Sequence, residues 1–494
     1  MLWYATPRSS PSRHKSTLST TAASVEVVPR DVDVGTPSPK TTTTTSSSRT
    51  GGGEKFLAYN THSGLHNQRI ALENALVLAR ALDRTLLLPP LWLGHAIPWI
   101  AFDKLVRRLS VADRSAPEVD GKVRACRRFA YDDEHALPNE CLDFFDWTTV
   151  HWRFLVDLDH SGVRTRDRWN HTSEFLASEL GVRRVAKYVT DETYYLRDDA
   201  LYSYRFYDSP ADTAPLGKYA RRIDIDRLRR ESAEHTLVHV GSLFGTTRLR
   251  LATPELRAAR ADARRAMVFK NDQVDVVARE CVRALGGRAQ FHALHMRVGD
   301  GVFLENKARW TAQAWTTLCA LKLGLDTALC ERLALDAGVR PEHAAQAPRR
   351  HTTDGRERQG EGLPALHALE RADELVGSCH GELHTDARLA SLNVPLFIAT
   401  DSRAPRADPD LAVFFRAFPC AFVLGDLAAI DARVAHAFAS ELDGLRNEAD
   451  GVPLATFLYP LLDAQVAAHA RTLTGTPQST FSSFALDVLH QVYQ

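Results

Sequence analysis

Thr61-His62-Ser63-Gly64-Leu65-His66-Asn67-Gln68-Arg69 is a polar run set between two apolar ones. Before it stands Phe56-Leu57-Ala58-Tyr59, short and aromatic enough for a strand. After it, Ile70 to Leu82 carries Leu72, Ala75, Leu76, Ala79 and Leu82 at helical spacing. Asp83-Arg84 then turns the chain into Thr85-Leu86-Leu87-Leu88, which Pro89-Pro90 stops. The pattern predicts a βαβ unit whose first strand is buried and parallel. The polar run therefore sits at the carboxyl end of a strand and opens a helix, where a doubly wound α/β sheet receives its ligand. Gly64 lets the backbone approach a phosphate, and the free N–H groups of a first helical turn favour anions. On local grounds the run reads equally well as a tight βα connection with an incidental Asn-Gln pair.

Composition bounds the rest. A chain of 494 residues with 44 % hydrophobic content buries large cores, and its length implies two or three domains. Lysine plus arginine number 61, as do aspartate plus glutamate, so no global field recruits nucleic acid or an anionic membrane. Seven cysteines are too scattered for a zinc ribbon. Cys126–Cys141 and Cys319–Cys330 have spacings that suit local bridges in an oxidising compartment; buried free thiols are the alternative.

Residues 1–53 are rich in Ser, Thr and Pro, include the hydroxyl run Thr41 to Ser48, and end in Gly51-Gly52-Gly53. That composition predicts a disordered leader. Met1-Leu2-Trp3-Tyr4 is too short for a signal segment, and no apolar run approaches 18 residues. A first globular half follows over 54–250, with Leu91 to Asp103 read as a loop or short helix. His235 to Gly245 reads as a strand entering a glycine loop, and its His235 and His239 suit core or cleft-lining roles. Three Asp-x-Asp triplets occur, at Asp157, Asp224 and Asp408, as an acid-rich chain produces by chance, and no metal is expected. Asn170-His171-Thr172 is an N-glycosylation pattern that matters only in the secretory pathway. Thr246 to Lys270 is basic and alanine-rich (Arg248, Arg250, Arg257, Arg260, Arg264, Arg265) and reads as a connecting helix with solvent-facing arginines. Without interleaved aromatics it does not read as a nucleic-acid patch.

The second half, 251–494, begins with a helix over Asn271 to Leu285 and a strand over Gln290 to Met296. That strand delivers His295-Met296-Arg297-Val298-Gly299-Asp300 at its carboxyl end, a site-like gathering of His, Arg and Asp. A core histidine beside a surface Arg–Asp pair is the plain alternative. A polar, flexible insertion is expected at about 336–390. Val394 to Asp401 reads as a strand, Asp408 to Phe418 as a helix, Ala421 to Leu424 as a strand and Thr456 to Thr472 as a helix containing Asp463. The hydroxyl-rich Thr474 to Ser483 leads into a terminal helix over Phe484 to Tyr493, where Ser479 and Thr480 suit a helix cap or phosphate oxygens.

The segment from His62 to Pro90 resembles the N-terminal signature of the GDP-fucose protein O-fucosyltransferase family, almost continuously over about 29 positions. His295-x-Arg297-x-x-Asp300 resembles that family's central motif, and the 474–483 loop its nucleotide loop. The resemblance implies an α/β, GT-B-like fold of two Rossmann-like domains facing across a cleft. It implies an inverting transfer of fucose from GDP-fucose to a Ser/Thr hydroxyl of a protein, with a glycan acceptor or a silent nucleotide-sugar-binding protein as alternatives. Arg297 then stabilises the departing β-phosphate, His295 contacts the nucleotide and Asp300 orients Arg297. Asn67 would orient sugar and acceptor. Gly64, His66, Asp401, Asp463 (reading guanine), Ser479, Thr480 and Phe481 complete the implied donor site. No cofactor or metal is implied. His66 and Glu73 are the nearest groups to a general base, which stays unassigned. By resemblance the compartment is the ER or Golgi lumen, with membrane attachment only through an upstream anchor missing from this start.

Overall fold

Phe56–Asn60 forms a strand with all five residues buried, as a central parallel strand requires. Parallel neighbours flank it on both sides, giving one five-stranded sheet in the order Thr165–Asp167, Thr85–Leu88, Phe56–Asn60, Leu237–Ser242, Thr193–Leu196. A second parallel sheet runs Ala421–Phe422, Leu396–Thr400, His292–Met296, Thr472–Gly475. A smaller parallel sheet of Arg221–Asp224, Tyr204–Tyr207 and Leu249–Arg250 adjoins the first half. The fold is mixed α/β with parallel sheets. The computed structural model describes residues 54–111, 146–167, 184–185, 188–189, 193–340 and 378–493. The leader, Cys126, Cys141, Asn170 and the densest part of the insertion lie outside the described residues.

The βαβ unit forms as its pattern predicts, with one correction. The helix spans Leu65–Leu82, beginning five residues before Ile70. Gly64 is its extended N-cap, and Ser63 just before it takes a left-handed φ of 66°. His66 and Asn67 thus belong to the first helical turn. Polar side chains are no bar there, and an apolar period only starts where a helix meets the core. From Gln68 to Leu82 every residue except Arg80 is buried. One apolar cluster joins this helix (Leu72, Leu76) to the second sheet (Ala293, Phe397) and to Phe481 and Phe484.

Leu91–Gly94 is also a correction: it is a strand, paired antiparallel with Trp147–Val150. Its partner lies more than fifty residues downstream, so no local signal marks the pairing. Trp92 stacks on Trp147 at 4.0 Å. Gly94 has φ 91°, and a Cβ there would meet the Asp146 carbonyl at 2.3 Å, so only glycine closes this ribbon.

Other differences are shifts of element boundaries. The helices predicted over Asp408 to Phe418 and Thr456 to Thr472 are Ala412–Ala417 and Ala455–Ala468. The strand predicted to reach Leu424 stops at Phe422, and Thr472–Gly475 is a strand of the second sheet. Sheet pairing claims Thr472 from the end of the second helix, whereas Asp408 to Leu411 lie in turns and pair with no strand. Just ahead of the predicted insertion stands a helix, Thr327–Asp336, tied by Cys319–Cys330. Cys379–Cys420 forms a second bridge, and Cys281 is a buried free thiol.

Candidate functional site

The carboxyl ends of the two large sheets carry the polar groups singled out above. His295, the fourth residue of strand His292–Met296, lies flat against Phe481, with ring centroids 4.0 Å apart and planes 19° from parallel. On its other side Phe481 meets His66 edge-on at 5.0 Å, and Phe484 lies 5.3 Å from the same imidazole. Residues from three distant parts of the chain are stacked in one place. Burial next to Arg297 holds the His295 imidazole down at about 3, so it is neutral at physiological pH. His66 is held well below its usual range by burial and by the charges of Arg69 and Arg297.

The loop after Gly475 locks this stack from beneath. Ser482 Oγ lies 2.6 Å from His295 Nδ1, and Thr476 Oγ1 donates to the His295 carbonyl at 3.0 Å while accepting from the Arg297 amide at 2.9 Å. Ser479, fully buried, caps the short helix Thr480–Phe484 by accepting from the Ser482 amide. Thr480 opens that helix and is half-buried. A Cβ on Gly475 would come within 2.6 Å of Ser482 Cβ, so the loop closes tightly onto the strand.

Arg297 is held at two points by Asp300, at 3.1 Å from Nε and 2.9 Å from Nη2, and lies over the Phe303 ring at 4.4 Å. Asp300 grips one edge of the guanidinium fork, which fixes the direction of the other. Asp401 is set below this turn: its Oδ1 accepts from the Val298 and Gly299 amides at 2.7 and 3.1 Å. Burial raises its carboxyl above the ordinary range against the pull of those two amides and of Arg297. Asp463 is buried on the Ala455–Ala468 helix, where its charge adds to burial in pushing the Cys281 thiol up.

Around this stack several buried polar atoms have no hydrogen-bond partner among the described residues. They are both ring nitrogens of His66, Asn67 Oδ1 and His295 Nε2. Buried polar groups are almost always satisfied, so a cluster of orphans marks where a ligand belongs. Glu73, by contrast, is fully engaged, with Arg69 at 3.5 Å, Arg260 at 3.4 Å and Arg264 at 3.2 Å. It serves as a charge hub between two helices.

Four contributors escaped sequence reasoning: Gln68, Arg69, Thr476 and Ser482. Arg69 lies over Phe484 at 4.4 Å. Gln68 accepts from the Trp92 amide at 3.0 Å and donates to the Trp92 and Ser63 carbonyls at 2.8 and 3.1 Å, fixing the loop before the helix. Gln68→Ala is expected to cost about 2–4 kcal/mol in a urea unfolding experiment, because it leaves both polar groups of Trp92 buried and unpaired. Hydroxyl density pointed to the Thr476 and Ser482 region, but which hydroxyl reaches His295 depends on the fold.

The chain is 49 % identical over 45 residues, 9 % of its own length and 9 % of the relative's, to O-fucosyltransferase 30 of Arabidopsis thaliana. The resemblance is to the O-fucosyltransferases. The chain spans about 9 % of the length of that relative in the match. It also aligns with crystal structures of POFUT1. The apo-form matches over 89 % of this chain and 95 % of that one, at 12 % identity and a TM-score of 0.33. The complex with GDP-fucose matches over 87 % and 93 %, at 13 % identity and the same TM-score of 0.33. No protein-family profile matches the chain.

The Asp-x-Asp triplets have structural partners. Asp157 pairs with Lys270 at 2.8 Å, Asp224 caps the helix Ile225–Glu231, and Asp408 and Asp410 flank Lys307. Among the described residues no three His, Cys, Asp or Glu side chains stand together as a metal site needs. Nor, among them, is any helix long and apolar enough to cross a membrane.

Proposed function

We propose that this chain is an inverting fucosyltransferase that takes fucose from GDP-fucose and passes it to a Ser or Thr hydroxyl of a protein. In this reading 54–250 is the acceptor-side domain and 251–494 the GDP-binding domain of a GT-B-like pair. The observation that carries it is the set of orphaned buried polar atoms on His66, Asn67 and His295, gathered beside the Arg297 guanidinium. A nucleoside diphosphate sugar offers the donors and negative charge that such a set lacks. The 45-residue similarity to an O-fucosyltransferase supports the same choice of donor.

The chemistry breaks the bond between the fucose anomeric carbon and the β-phosphate oxygen while the acceptor oxygen bonds from the opposite face and releases its proton, by way of water, to the solvent or to the departing GDP. Negative charge grows on the departing diphosphate. Arg297, oriented by Asp300, receives it without having to reorganise. Neutral His295 donates or accepts at Nε2 toward the nucleotide, its Nδ1 being taken by Ser482. Asn67, in the first turn of its helix, aligns sugar and acceptor hydroxyl at the positive end of that helix. Asp401 acts one layer back, by holding the turn that carries Arg297. Neither earlier candidate serves as the base: Glu73 is claimed by three arginines, and protonated His66 would face Arg69 and Arg297. The two disulfides support an oxidising compartment such as the secretory lumen.

The deciding assay measures GDP release from GDP-fucose by the full chain, with and without pools of protein and glycan acceptors. Acceptor-stimulated GDP release with fucose recovered on Ser or Thr supports the reading. GDP binding without release in any pool would leave a binding protein, and no GDP binding at all would remove both.

A further inference from the structure

The basic stretch 246–270 does not become a row of solvent-facing arginines. Arg248 is fully buried, donating to the carbonyls of Leu201, Tyr204 and Phe244. The others line a cavity of about 620 Å³ between helix Pro254–Ala266, the segment before it and the C-terminal helical segment. Six guanidiniums face it: Arg205, Arg250, Arg257, Arg260, Arg264 and Arg265. Among the described residues Asp487 is the one carboxylate in the lining.

Most of these arginines are anchored from behind. Glu73 holds Arg260 and Arg264, Asp212 holds Arg250 at 2.8 Å, and Asp262 holds Arg265. Arg205 donates to the Thr247 and Pro215 carbonyls at 2.9 and 2.7 Å. The carboxylates lie outside the lining, so they orient the guanidiniums and still leave them in excess. The Arg260 side chain is only 17 % exposed, and its Nε makes no hydrogen bond in spite of its closeness to Glu73. A cavity of this volume falls in the range of small-molecule sites, roughly 300–1,000 Å³. Pre-oriented guanidinium forks match the paired oxygens of phosphate and sulfate.

We infer that this arginine-lined cavity is a binding site for a compact polyanion carrying two or more phosphate or sulfate groups, separate from the Arg297 cluster. It is independent of the fucosyltransferase reading, since it uses none of the residues that reading needs. The absence of aromatic side chains from its lining, and its concave shape, favour a small ligand over a nucleic-acid strand.

Calorimetric titration with inorganic pyrophosphate and, separately, with a sulfated disaccharide tests it. Titrations are run on Arg297→Ala protein, so that the donor cluster's cation is already gone. Binding by one anion or both is expected, weakening as NaCl is raised. Adding Arg257→Glu and Arg265→Glu, both exposed positions, should weaken it by about tenfold or more, with an unchanged thermal midpoint as the control for folding. The same pair of charge reversals in otherwise wild-type protein should leave GDP affinity within about twofold. Whichever anion responds identifies phosphate or sulfate as the natural chemistry. The proposal is overturned if neither anion binds at millimolar concentration, or if binding is insensitive to the two reversals.

Discussion

Arg297→Ala is expected to slow GDP release from GDP-fucose by about 10²–10³-fold, the usual consequence of removing one charge-stabilising group from a transition state. The loss should fall mainly on kcat, because charge on the leaving diphosphate grows as the glycosidic bond breaks. Arg297→Lys should recover only a small part: a lysine keeps the charge but cannot present a second donor edge while Asp300 grips the first. The thermal midpoint should barely move, since the Arg297 side chain is about a quarter exposed and its ion pair with Asp300 is local. Asp300→Asn, which keeps the shape and removes the charge, should give an intermediate rate. A wild-type rate in Arg297→Ala, in protein that still binds GDP, would end the leaving-group role.

Acid should unfold this protein well before ordinary carboxylates protonate. Burial holds His62 and His292 at about 4 and His295 at about 3, and His66 well below its usual range. In the unfolded chain each titrates near 6.5. Below that pH the unfolded state takes up protons the native state refuses, so stability is intact above about pH 7 and drains as pH falls toward the native values. At pH 5 each of the three with a stated value costs about 2 kcal/mol, together comparable with the whole stability of a typical domain. Asp198 and Asp401, whose carboxyls burial raises, oppose the trend, because each takes up its proton more readily in the folded protein than in the unfolded chain. Thermal midpoints measured from pH 8 to 4.5 should be flat above 7 and drop steeply below 6. His292→Gln should flatten part of that drop, because it removes one of the protonations while keeping a polar partner for Thr472, which lies 2.7 Å from His292 Nδ1. A midpoint independent of pH across this range would mean that the imidazoles are hydrated and chargeable in the folded protein.

Local patterns carried the first βαβ unit because its signals are short-range: an apolar strand, a period of helical spacing and a proline stop. They also carried the turn at His295 to Asp300, where a polar cluster follows an apolar strand. They placed the start of the first helix too late, since His66 and Asn67 give no apolar period. They missed the strand Leu91–Gly94, whose partner is remote in sequence. The arginines of 246–270 were legible as a composition but not as a place, since one helix face cannot announce what packs opposite it.

Sequence alone determined the chemistry available to this protein: a permanent cation beside a carboxylate, imidazoles and amides at strand ends, hydroxyls ahead of a final helix. Tertiary structure alone decided which of these meet. Phe481 lies between His66 and His295, more than two hundred residues apart in the chain, because two parallel sheets bring their carboxyl ends to a shared apolar core. Side-chain type is written locally, whereas burial, and with it the charge state of every imidazole in the cluster, depends on which surfaces exclude water together.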